Sequence, residues 1–193
     1  MKKSTSLFAV LALAFSAWAA PVESNKAEIL AKIGKETSAE LIKTLGGQLK
    51  KAMAEGGPAK AVDFCSQHAW PLTEKVAHGA GEGVRVKRVT DKPRNPANAA
   101  DPVDALALAA FADQKTPYLT KITEGGKTVY RYYQPMRIPE KAPCLKCHGE
   151  VIHPQAAMLL SERYPEDKAY GYKTGDLRGA VRVEVDASVL SPR

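Results

Sequence analysis

Val181-Arg182-Val183-Glu184-Val185-Asp186 alternates an apolar β-branched side chain with a charged one. Only the two-residue period of a strand puts the three valines on one side, so the segment predicts a strand with one buried and one solvated face. Earlier in the chain, Val84 to Thr90 has strand composition, and two more strands are expected near Tyr118 to Thr123 and Thr128 to Ile138. Glu124-Gly125-Gly126-Lys127 joins those two, and paired glycines supply the positive φ angles of a tight hairpin turn. The strands predict a mostly antiparallel sheet.

The residues before the sheet have a different period. From 24 to 55, Ile29, Leu30, Ile33, Leu41, Ile42, Leu45, Leu49, Ala52 and Met53 recur at three- and four-residue steps, the mark of an amphipathic helix. Ser24 or Asn25 is expected to cap its start and Gly56-Gly57 to end it, with a break or bend at Gly46-Gly47. Pro58 then suits the first position of a second helix, whose apolar face carries Val62, Cys65, Ala69, Leu72 and Val76. Pro71 is expected to kink or split it near Trp70. Past the first strand, Asp91 to Pro102 is a Pro/Asn-rich loop, Asp101 can cap a short helix running to about Asp113, and another short helix is expected over Pro154 to Arg163. The fold class is α+β, with a helical part at about 24–79 and a sheet part at about 83–187.

The chain has 193 residues, 45% apolar and 25% charged, which suits one domain with a real core. Its first 19 residues have the layout of a secretory signal peptide. Lys2 and Lys3 form a basic start, Leu7 to Phe15 an apolar run, and Ala17-Trp18-Ala19 a small-x-small cleavage site. The run is shorter than a membrane-spanning helix, so residues 20–193 are expected as one soluble periplasmic domain with no membrane span after cleavage. The formal charge of +7 falls to about +5 without the two lysines, too little and too scattered for a nucleic-acid binder. Three cysteines cannot all pair, and an exported chain needs some chemistry to explain them.

Cys144-Leu145-Lys146-Cys147-His148 provides that chemistry. C-x-x-C-H is the attachment pattern of haem c, in which two thiols form thioethers with the vinyl groups and the next histidine ligates the iron. One covalent haem c is therefore expected on Cys144 and Cys147, with His148 as an axial ligand. A thioredoxin-type redox pair would need a surrounding βαβ pattern, which is missing. Zinc would need two more ligands, and only His153 and the distant Cys65 are available. For the other axial position the residues alone leave several candidates. Cys65 lies at the centre of an apolar helix face and His68 one step from it; His78, His153, Met136 and Met158 are placed less well. Arg94, in a Pro-rigidified Arg94-Asn95-Pro96 turn, can grip a haem propionate, although Arg131, Arg137 and Lys146 are equally available. Tyr130 and Tyr132 share one strand face, and Tyr132 is a candidate for packing on the porphyrin.

Five segments in order carry a family resemblance: Ala61-Val62-Asp63-Phe64-Cys65, Arg94 to Asn98, Tyr130 to Pro135, Cys144 to Gly149, and Gly171 to Gly179. Over about residues 30 to 187 the chain resembles a bacterial family of exported, single-haem c-type proteins once catalogued as a domain of unknown function. One departure is Ala69-Trp70-Pro71, where the family pattern has proline directly after alanine. The resemblance implies a PAS-like fold, and some members form the sensory input region of signalling proteins. It also implies iron held between His148 and Cys65. A thiolate opposite imidazole favours ferric iron and can leave on reduction, so the expected role is a redox or gas sensor-like module with a separate periplasmic redox or signalling partner. An electron-transfer cytochrome with a His or Met sixth ligand is the alternative. An enzyme is not expected; a peroxidase-like reaction would need an open iron and His68 as its acid–base group.

Overall fold

The computed structural model describes residues 18–112, 116–140 and 143–191, so the expected signal segment lies outside the described residues except for its last positions. The architecture is α+β and PAS-like, as expected. Five antiparallel strands, β1 (Trp18–Ala20), β2 (Val84–Val89), β3 (Tyr118–Glu124), β4 (Lys127–Arg137) and β5 (Leu177–Asp186), lie in the order β1-β3-β4-β5-β2. β3 and β4 are joined by Gly125-Gly126, both at positive φ, as the hairpin requires. β5 lies inside the sheet, between β4 and β2, with Val183 paired to Tyr132 on one side and to Val86 on the other.

A helix α1 (Ser24–Ala80) covers one face. Its backbone leaves helical geometry only at Gly56 (φ −156°, ψ 22°) and Gly57 (φ 64°, ψ −156°), so it is two arms, 24–55 and 58–80, meeting where the sequence placed the boundary. Gly57 occupies backbone space that side chains with a Cβ do not tolerate. The arms run back along each other, with Ile33, Thr37 and Glu40 sharing one groove with Leu72, Val76 and Ala80. Leu30, Leu41 and Ala77 then pack on Val84, Val86, Tyr130, Tyr132, Val181, Val183 and Val185 as one core. The approach is so close at Gly34 that a Cβ there would collide with the Tyr132 ring.

Several expectations are corrected. The cap position is Glu23, not Ser24 or Asn25; its carbonyl accepts from Lys26 and Ala27 N–H, with no side-chain cap. Gly46-Gly47 stays helical, and so does Pro71. Packing along both arms outweighs the weak propensity of glycine and the one donor that Pro71 lacks.

The far face carries α2 (Pro102–Ala110), which ends earlier than Asp113. Asp101 and Asp104 form its capping box, and its core contacts are Val89, Phe111, Tyr133 and Ala180. This face of β5 is not simply solvated. Arg182 and Glu184 are only 15% and 13% exposed. They lie in an ion-pair layer with Arg131, Asp101 and the fully buried Asp104, which also accepts from the Tyr133 hydroxyl at 2.9 Å. Each guanidinium there meets a carboxylate, which is how a charge is kept below a surface.

Candidate functional site

Beyond the end of the α1 core, the arms and the sheet diverge and enclose a cavity. Leu41, Leu45, Leu49 and Met53 of the first arm and Val62 and Cys65 of the second form an apolar side. Met136, Ile138 and Val181 belong to the sheet side, and Cys144, Cys147 and His148 complete the wall. Cys65 and the C-x-x-C-H motif, far apart in sequence, thus line one space. The local reason is visible at α4 (Pro154–Arg163), the helix expected there: Ala156 and Leu160 pack on Val62 and bring Cys147 and Tyr164 with them.

The motif itself is a single helical turn, α3 (Leu145–His148), fastened to the segment 167–172. Tyr172 N–H donates to the His148 carbonyl at 3.0 Å, and Gly171 N–H to the Gly149 carbonyl at 2.9 Å. His148 Nδ1 is 2.7 Å from the Ala169 carbonyl. A carbonyl can only accept, so Nδ1 carries the proton and Nε2 keeps its lone pair, the tautomer a metal ligand needs. Burial, with help from the Arg94 and Arg178 charges, holds the imidazole neutral with a pKa pushed down to about 3. Burial likewise pushes up the thiols of Cys65, Cys144 and Cys147. A redox C-x-x-C depends on the opposite shift. Among the described residues no three or more His, Cys, Asp or Glu side chains are grouped closely enough to hold a metal ion by themselves.

Arg94 reaches the cavity, but its guanidinium is engaged elsewhere. Nε donates to Asp167 at 2.9 Å, and Nη2 donates to the Cys147 carbonyl at 2.6 Å and the Ala169 carbonyl at 3.3 Å. Arg94 thus lines the cavity, as expected of a pocket residue, and also fastens the motif through Nε and Nη2. Asn95 accepts from Ala97 N–H, the ordinary turn chemistry. Tyr132 is corrected. It is 1% exposed in the core under Gly34, donates to Gln134 at 2.7 Å, and does not line the cavity. His68 is exposed, stacks on Phe64 at 5.9 Å and borders a different groove. Met136 lines the cavity, whereas Met158 is 72% exposed and His78 lies on the surface.

Sequence reasoning missed three cavity residues, Arg88, Arg178 and Tyr164. With Arg94 and Arg137, four arginines border the cavity and, among the described residues, no aspartate or glutamate does. Arg178 donates weakly to Thr90 Oγ1 and the Lys92 carbonyl and lies over the Tyr172 ring. Arg137 uses its terminal nitrogens on the Gly175 and Phe111 carbonyls, and its buried Nε has no partner. The set is therefore two thiols and a neutral imidazole on one wall, a third thiol on another, apolar surfaces between them, and four arginines of which, among the described residues, only Arg94 is ion-paired, with Asp167. A flat apolar molecule carrying carboxylates and a thiophilic metal fits that set.

A family model described as Tll0287-like matches residues 19–186. The crystal structure of the cyanobacterial heme-protein Tll0287 superposes with a TM-score of 0.58, covering 86% of this chain and 98% of that chain at 24% identity, a likeness of fold. No curated protein matches the chain. With the family match extending from the first sheet strand to the end of the last, the chain belongs to the Tll0287-like family.

Proposed function

We propose that the chain is an exported, periplasmic monohaem c-type protein, with haem held covalently by Cys144 and Cys147 and with His148 and Cys65 as axial ligands. The observation that supports this most is the cavity shared by the C-x-x-C-H motif and Cys65, walled by apolar side chains and bordered by four arginines. The heme-protein whose fold this chain shares points the same way. Bound there, haem would supply one-electron redox chemistry, and a small gas ligand would have to displace Cys65.

The chain's own residues supply the rest. Ala169 fixes the His148 tautomer, and Arg94 pins the turn that presents it. Cys65 belongs to the second arm of α1, joined to the first by the Gly56-Gly57 break and packed on α4. Gain or loss of a ligand bond at Cys65 therefore acts on a discrete helical element, which suits a redox or gas sensor-like module acting on a separate partner. We infer no enzymatic reaction: His68, the acid–base residue it would need, lies outside the cavity.

The test is a haem stain on denatured protein matured with a c-type attachment system, followed by ferric EPR. A stained band that disappears in Cys144→Ala/Cys147→Ala, with a low-spin signal of narrow g-anisotropy, is expected. A wide low-spin signal would replace Cys65 by a His or Met ligand and favour electron transfer. A high-spin signal would mean an open iron position.

A further inference from the structure

β2 reads Val84-Arg85-Val86-Lys87-Arg88-Val89. Its alternation turns Val84, Val86 and Arg88 toward α1, and the two valines are core residues. Arg88 occupies the third inward position, where the core gives way to the cavity. Among the described residues it has no ion pair and no hydrogen bond, and the groups that favour its charge are the Cys65 thiol and the Tyr164 phenol, with no carboxylate. Arg178 borders the same cavity, and the two guanidiniums repel. Two half-buried cations set together, with no carboxylate beside Arg88 and only Asp167 acting on Arg178, are costly, and a negative group between or beside them would stabilise the arrangement. Arg94, by contrast, already has Asp167.

We propose that Arg88, with Arg178 beside it, is a carboxylate-binding subsite inside the cavity. It rests on the haem reading, under which the carboxylate is one of the two haem propionates. The guanidinium fork matches a carboxylate with two parallel N–H···O bonds, and the dry surroundings strengthen both. Neighbouring apolar side chains exclude a small hydrated anion in favour of a carboxylate carried by an apolar ring.

The experiment compares haem-loaded wild type, Arg88→Gln and Arg88→Lys by resonance Raman spectroscopy, with the haem stain as a control. In Arg88→Gln a propionate bending band is expected to shift, while the bands that report iron spin and ligation stay in place. Arg88→Lys, which keeps the charge and loses the fork, should shift the band less. An unchanged propionate band in both variants would overturn the subsite while leaving the haem reading intact. So would ligation bands that move while the propionate band does not, because Arg88 would then serve Cys65. Unstained wild type would overturn the haem reading itself. If Arg88→Gln yields no folded protein, Arg88→Lys and Arg178→Gln carry the same comparison, and a wild-type band in both would overturn the subsite.

Discussion

One sheet has two faces with opposite treatments of arginine. Under α2, Arg131 and Arg182 meet Asp101, Asp104 and Glu184 at 2.6 to 3.3 Å. At the cavity on the α1 face, Arg88, Arg137 and Arg178 meet carbonyls, a hydroxyl, an aromatic ring or nothing charged. The first arrangement is closed electrostatically and serves the fold. The second leaves positive charge facing an apolar space, which has a purpose only if a negative ligand is part of the finished protein. Burial of a charge thus has two meanings here, told apart by whether a counter-charge belongs to the chain.

The comparison is broken most sharply at Asp104. Asp104→Asn leaves Arg131, Arg182 and Tyr133 short of their shared acceptor, and urea unfolding should show a loss of about 3–5 kcal/mol. The same face sets the acid limb of stability. Against the opposing effect of burial, the Asp104 N–H and then Arg131 hold Asp101 below its ordinary range, and Arg85 and then Arg131 do the same for Glu184. A depressed carboxylate contributes stability above its unfolded value and loses it as pH falls through the folded one, so unfolding free energy should drop as pH falls below about 5. Arg88→Met should have the opposite sign to Asp104→Asn. In protein produced without haem it removes a half-buried cation that has no partner, and a gain of about 1–3 kcal/mol is expected in the same urea assay. A loss there would mean that the two faces are alike after all. Gly57→Ala tests the backbone of the cavity wall rather than its charges, and forcing a Cβ into that conformation should cost about 1–2 kcal/mol in a thermal melt. The smallest effect is at Arg85, 51% exposed beside Glu184 and Asp186. Arg85→Gln should cost about 0.2–1 kcal/mol, and less in high salt.

Much of this was legible from local pattern. The valine alternation, the Gly-Gly hairpin and the Gly56-Gly57 boundary each follow from one short segment and hold in the structure. Cys65 was legible as the centre of an apolar helix face, and the cavity includes it. Tyr132 shows the limit of such patterns. Sharing a face with Tyr130 says which side of the sheet a ring occupies, and not how far along it the cavity begins. His68, one helical step from Cys65, falls in another groove, between the two arms of α1 beside Gln48 and Lys51. Arg94 was legible as a pocket residue, and its partners, Asp167 and two carbonyls, were not, being remote in sequence. Arg88 carried a usable signal. Charge at the third inward position of V-x-V-x-R contradicts a buried strand, and such contradictions concentrate at functional sites.

The place of β5 sets the order in which this molecule can be assembled. The C-x-x-C-H segment is synthesised between β4 and β5, and β5 must then enter between β4 and β2 to close the sheet. Until that last strand arrives, β2 has no neighbour in the sheet and the cavity lacks its Val181 and Arg178 side. Such non-local pairing is slow to form. The thiols of Cys144 and Cys147 therefore stay reachable on an open chain until the final strand seals the wall behind them.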